Sequence, residues 1–248
     1  MAAALVTFGA PGACPAWGDE ALVAVASNFA RAARALEAQF EDNGSHSITI
    51  VSGSTGKLYA QIVNGAPYDV FLAADQHRPA LLEEEGRVVD DSRFTYAAGR
   101  LSLWSPDSSR VAVDGASTLS RGDFQRLAIA NPRLAPYGAA AEEALEALGL
   151  AESLAAKLVT GENVGHVYSM VATGNAELGF VSLSQVLTTV EADAGSRWDV
   201  PVELHGPIRQ DAVLLDHGRA NAAAAEFLHF LRGSTARRLI ESFGYEVD

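Results

Sequence analysis

Short runs rich in Val, Ile and Leu alternate with stretches whose apolar residues recur every three or four positions, and this alternation limits the fold more than any other feature of the chain. The strand-like runs are "ALVAVA" (21–26), "SITIV" (47–51), "YDVFLAA" (68–74), "RLAIA" (126–130), "LGFVSL" (178–183) and "DAVLL" (211–215). After Ser27, residues Phe29, Ala33, Leu36 and Phe40 make one helix face that ends near Gly44. Further helices are expected at 56–64, 138–148 and 165–173, ended by Asn64-Gly65, Gly149 and Gly174, and the C-terminal third reads as two helices broken at Gly233. Strand–helix repeats of this kind predict an α/β chain of mostly parallel sheets flanked by helices. With 248 residues, 48% of them hydrophobic, the chain buries one large core or two modest ones.

Four of the expected helices start at a short polar turn directly after a strand: Ser27-Asn28, Ser54-Thr55-Gly56, Pro136-Tyr137-Gly138 and Asn163-Val164-Gly165. In an α/β sheet such turns lie at the carboxyl ends of the strands, where ligands bind. Each presents unpaired backbone N–H groups and the positive end of a helix dipole. Four converging ends can hold a small anion without Lys or Arg. The charge balance sharpens this reading, because 18 basic against 31 acidic residues leave a net charge of −13. Such a field repels nucleic acids and anionic lipid, so neither is expected as a partner. An anionic ligand must then be held by short-range hydrogen bonds.

The run "SGSTGKL" (52–58) has the look of a nucleotide loop but fails the template of Gly, four residues, then Gly-Lys and a hydroxyl. Val51 stands where the first Gly belongs, and Leu58 where Mg²⁺ would find its hydroxyl. Taken alone, Ser54 or Thr55 is a helix N-cap with glycines easing the turn. Ser27 lacks a surrounding G-x-S-x-G, which leaves a serine hydrolase as a remote alternative. Glu83, Glu84 and Glu85 read as a solvated helix face, Asp69 and Asp75 as a strand-end turn and a helix cap, and Arg209 with Asp211 as a structural ion pair. Cys14 is the only cysteine and the six histidines are scattered, so neither a disulfide nor a metal site is expected. The uncharged segment "MAAALVTFGAPGACPAWG" reads as a signal or disordered N-terminus over 1–19, with a possible cleavage after Gly18 and no Lys or Arg behind Met1. Cys14 lacks the Leu three residues upstream that a lipid anchor would use, and lipidation is not expected.

The stretches "VAVASNFARAARALEAQFE", "SGSTGKLYAQIVNGAPYDVFLAAD", "LAIANPRLAPYGAAAEEALEALGL", "NVGHVYSMVATGNAELGFVSLSQV" and "PIRQDAVLL" together resemble the periplasmic molybdate-binding proteins of bacterial ABC importers, in unbroken order from about residue 20 to the C-terminus. The resemblance implies a two-lobed, type II periplasmic-binding-protein fold with an oxyanion in the interlobe cleft. It implies five ligand residues: the hydroxyls of Ser27 and Thr55, the side chain of Asn28, and the backbone amides of Tyr137 and Val164. Where some members carry a tyrosine, this chain has Ser182, too short to reach the ligand, and Asn28 is expected to supply the missing bond. Molybdate at neutral pH is a fully deprotonated tetrahedral dianion that can only accept hydrogen bonds, and a shell of donors without carboxylates suits it. The implied organisation is a first lobe of residues 20–100 plus 206–248 and a second of 101–205, hinged at two crossovers. Expected partners are molybdate or tungstate and the permease subunits of an importer; no catalysis and no cofactor are expected, and the protein is expected to be a periplasmic monomer. The alternative within binding proteins is another tetrahedral oxyanion such as sulfate. A ligand-sensing regulator is disfavoured because no helix-turn-helix segment stands out.

Overall fold

The computed structural model describes residues 18–187 and 195–247. The segment around Cys14 lies outside them. The chain first runs through β1 (Glu20–Ala26), α1 (Ala30–Asn43), β2 (Ser47–Gly53), α2 (Thr55–Val63), β3 (Val70–Leu72), α3 (His77–Glu84) and β4 (Phe94–Gly99). Arg100 then leads into β5 (Leu101–Ser105), α4 (Gly115–Arg121), β6 (Leu127–Ala130), α5 (Pro136–Ala147), α6 (Ala151–Leu154), β7 (Leu158–Gly161), α7 (Val164–Ala172), β8 (Leu178–Ser182), α8 (Leu183–Leu187) and β9 (Ser196–Asp199). It returns through β10 (Ile208–Leu214), α9 (Ala222–Arg232) and α10 (Ser234–Ser242).

These strands form two five-stranded sheets, ordered β2-β1-β3-β10-β4 and β7-β6-β8-β5-β9. In each, the fourth strand runs antiparallel to its neighbours. That strand is the one arriving from the other sheet, β10 after β9 and β5 after β4. Two pieces of chain therefore cross between the lobes.

Both faces of the first sheet are buried, which is why its strands read as continuous apolar runs. Val23, Val25 and Leu72 pack on Phe29, Leu36 and Phe227, while Ala24, Phe71 and Val213 pack on Leu58 and Leu82. The stripe expected after Ser27 lies in α1 and at its start, with Phe29, Ala33, Leu36 and Phe40 all buried. The core of the second lobe takes in Ala26 and Ala74 from the first, at or just beyond the carboxyl ends of β1 and β3. The lobes are thus in apolar contact where the cleft would open. Among the described residues no helix is long and apolar enough to cross a membrane.

Several expectations need adjusting. The run at 68–74 shrinks to a three-residue strand, because Asp69 turns its carboxylate onto the Leu22 amide at 2.7 Å. Strands β4, β5, β7 and β9 lack a legible pattern; β5 is wholly buried, whereas β9 is a largely polar edge. Arg209 does not pair with Asp211. A bulge between Gln210 and Asp211 breaks the alternation and buries both, and Asp211 takes Arg93 instead at 3.0 Å, with Thr95 at 2.7 Å. Asp75 does cap a helix, accepting the Arg78 amide at 2.9 Å.

Candidate functional site

The strand ends set the site. β1 and β2 are parallel with Ala26 level with Gly53, and Ser27 N–H extends the ladder by one bond to Gly53 O at 2.9 Å. β6 and β7 repeat the device in the other lobe, with Ala130 level with Gly161 and Asn131 N–H on Gly161 O at 2.8 Å. Beyond these paired ends the chain turns into helices whose first amides have no intrahelical acceptor. Where those amides go decides what the site can bind.

At α7, Gly165 N–H reaches Ser27 Oγ at 3.4 Å, His166 N–H is capped by Asn163 Oδ1 at 3.0 Å and Val167 N–H bonds Asn163 O at 3.1 Å. The Val164 N–H is the one left over. At α5, Pro136 has no N–H to place, and Gly138 and Ala139 both donate to Ala135 O. The Tyr137 N–H is left over. At α2, Gly56 donates to Leu134 O of the other lobe at 2.8 Å, Leu58 donates to Ser54 O, and the N–H groups of Thr55 and Lys57 remain. Ser54 stands at the N-cap position but makes no side-chain cap, so the simple capping reading does not describe it. The main-chain N–H of Asn28 also lacks a partner among the described residues.

Two hydroxyls border these amides. Thr55 Oγ1 is buried and accepts the Ala74 N–H at 3.2 Å, which leaves its own proton to donate. Ser27 Oγ accepts from Gly165 and is likewise left with its proton; no imidazole bonds it among the described residues. Asn28 is buried, with Nδ2 donating to Gln210 Oε1 at 2.9 Å and to Tyr245 Oη at 3.2 Å. Ser182 lies wholly buried against Ser184 Oγ at 2.8 Å.

Bonds across the cleft hold the turns together. Besides Gly56–Leu134 and Gly165–Ser27, Arg78 donates to Arg133 O at 2.9 Å and Lys57 pairs with Glu162 at 2.8 Å on the rim. The hydrogen bond from Lys57, and next its charge, hold the Glu162 carboxyl below the usual value. Lys57 is thereby committed to a carboxylate rather than to a phosphate. A side chain at position 56 would press on Leu134 Cα, so glycine is what lets the lobes approach there. Burial, followed by the nearby Tyr245, pushes the Tyr137 phenol well above its ordinary range, and it stays neutral.

The described residues bring Ser27, Asn28, Thr55, Tyr137 and Val164 to one seam between the lobes, and their donors include no cation. Among the described residues no cluster of His, Cys, Asp or Glu could hold a metal ion. The residues that sequence reasoning missed are Gln210, Ser184 and Tyr245, which surround Asn28 from β10, α8 and the chain beyond α10. Their one trace in the sequence is the polar Arg209-Gln210-Asp211 run within a strand that ends in apolar residues.

The profile of the family described as bacterial extracellular solute-binding protein matches residues 21–246. The molybdate-binding protein ModA of Azotobacter vinelandii is 48% identical over 233 residues, covering 94% of this chain and 92% of that protein. ModA of Rhodobacter capsulatus is 46% identical over 236 residues, covering 95% and 92%. In three dimensions, the solved periplasmic molybdate-binding protein of Azotobacter vinelandii superposes with a TM-score of 0.87 at 39% identity, covering 92% of this chain and 99% of that one.

Proposed function

The chain belongs to the bacterial extracellular solute-binding proteins, and from that premise we propose that it captures molybdate and hands it to an ABC importer. Its fold is the two-lobed α/β fold of periplasmic binding proteins, with the ligand between the lobes. It is a transport component and not an enzyme.

The observation that supports the ligand site is a set of donors at the seam that the described residues leave without an acceptor, besides the spare amides of Thr55 and Lys57. Val164 and Tyr137 each keep one first-turn amide, Asn28 keeps its main-chain N–H, and Ser27 and Thr55 keep hydroxyl protons. All are donors, and molybdate offers only acceptors. Removing an isolated dianion from water costs many kcal/mol. Donors fixed at helix ends meet that cost without reorganising, each dipole adding roughly 0.3–2 kcal/mol. The first lobe, residues 20–100 plus 206–248, supplies Ser27, Asn28 and Thr55; the second, 101–205, supplies Tyr137 and Val164. Because neither lobe holds a full shell, the anion stabilises the closed form, which is the form the permease subunits take up. The protein acts in the periplasm as a monomer.

Tungstate has the same charge and shape and is a second ligand. Sulfate differs chiefly in size. Titration calorimetry with molybdate, tungstate, sulfate and phosphate tests the reading: molybdate and tungstate bind tightly and phosphate not at all. Sulfate binding as tight as molybdate would overturn the choice of ligand.

A further inference from the structure

The last residues of the chain reach from the first lobe onto the second. Beyond α10, Glu246 bridges Ala98 through two main-chain bonds, of 3.0 and 2.7 Å, just ahead of the crossover into β5. Gly244, at φ +82°, passes so close to α8 that a side chain there would press on Leu187. Between these two residues Tyr245 is 4% exposed, and its ring meets Phe29 edge-on with the centroids 5.1 Å apart. Burial pushes the Tyr245 phenol far above its ordinary range, so the hydroxyl keeps its proton.

That proton goes to the main chain of Asn28. Tyr245 Oη lies 2.8 Å from the Asn28 carbonyl oxygen, and a carbonyl can only accept. Ser184 Oγ, from α8 of the second lobe, lies 3.3 Å from the same oxygen, 2.9 Å from Tyr245 Oη and 2.8 Å from Ser182 Oγ. With the carbonyl fixed as acceptor, the hydroxyls fall into order: Ser182 donates to Ser184, Ser184 to the Tyr245–Asn28 pair, and Tyr245 to Asn28. The peptide group joining Asn28 to Phe29 is thereby held at both poles, its N–H by Ala26 O at 2.9 Å and its oxygen by Tyr245. Directly before it stand the Ser27 hydroxyl and the spare Asn28 N–H, the two donors that this turn offers the cleft. Without the Tyr245 hydroxyl, only the longer bond from Ser184 would remain on that oxygen.

We propose that Tyr245 is a positioning residue for the anion: its hydroxyl, braced by Ser184 of the other lobe, fixes the Asn28–Phe29 peptide and with it the direction of the Ser27 hydroxyl and the Asn28 N–H. This rests on the oxyanion reading of the cleft. It also makes the C-terminal segment a third connection between the lobes, beside the two crossovers, and sets that connection behind the ligand turn.

Tyr245→Phe keeps the ring on Phe29 and removes only the hydroxyl. Calorimetry should show molybdate affinity about three- to tenfold lower, the worth of one buried hydrogen bond. Unchanged affinity overturns the proposal, whatever happens to the thermal midpoint. Hydrogen exchange of the ligand-free variant separates positioning from plain destabilisation: the Ser27 and Phe29 amides should exchange faster, while Val23 and Val25 inside β1 keep their wild-type rates. Uniform acceleration, or none, counts against the proposal. Ser184→Ala should also weaken molybdate binding, and its loss should not add to that of Tyr245→Phe, since both hydroxyls serve one carbonyl; additive losses contradict the shared role. Wild-type protein that binds no oxyanion would refute the ligand reading itself, whereas wild type and Tyr245→Phe binding equally well would refute the role of Tyr245 alone.

Discussion

In the proposed site the Thr55 hydroxyl serves fold and ligand at once. The Ala74 N–H occupies one of its lone pairs at 3.2 Å, and the proton is left for the anion. Thr55→Ala therefore loses a ligand bond and strands a buried amide, and calorimetry should register a loss of about 1–3 kcal/mol in molybdate binding. Ser182→Ala, which touches only the Ser184 side of the cluster, should change it by less than about 0.5 kcal/mol. Equal effects would mean that the shell is drawn wrongly. At this scale Ser27 and Thr55 are legible in the sequence through the family resemblance, since a hydroxyl at a strand-to-helix turn is by itself as well suited to capping the helix. Gln210 and Tyr245 are not, because they reach Asn28 from 182 and 217 residues away.

Among the elements, the start of α2 combines three functions. Its spare amides face the cleft, Gly56 brings it against Leu134, and Lys57 ties it to Glu162 ahead of α7. The ion pair is half-exposed, so it trims the balance between open and closed lobes and does not build the fold. Its sign follows from linkage. Lobe contact lowers the Glu162 pKa, so the pair's contribution is complete above the ordinary value of 4.5 and is lost as pH falls through the lowered one. The gap in thermal midpoint between ligand-free wild type and Glu162→Gln should therefore close from about pH 6 to about pH 3. It should also shrink in roughly 1 M salt. A gap indifferent to both would show that Lys57 and Glu162 do not hold the lobes. Helices α1, α2, α5, α7, α9 and α10 are legible because each joins a periodic apolar face to a terminating Asn or Gly; β4, β7 and β9 are not, because edge strands need no buried face.

For the whole molecule, each lobe is an α/β sheet whose helix starts face the other lobe. An anion bound only by the closed form stabilises it by mass action, about 2.7 kcal/mol at one hundred times the dissociation constant. For a chain of this size that corresponds to a rise of roughly 5–10 °C in thermal midpoint, and small-angle scattering should record a more compact particle. A midpoint that rises equally with molybdate and with the same concentration of chloride would remove the specific closure. The α/β class, the helix starts and the hydroxyls at 27 and 55 were determined by the sequence itself, because hydrophobic period and turn chemistry are local properties. The tertiary structure alone decided which of the first-turn amides remain free, since each is consumed or spared by an acceptor distant in the chain. Leu134 O takes Gly56, Ser27 Oγ takes Gly165, and the Tyr137 and Val164 amides are left without an acceptor among the described residues.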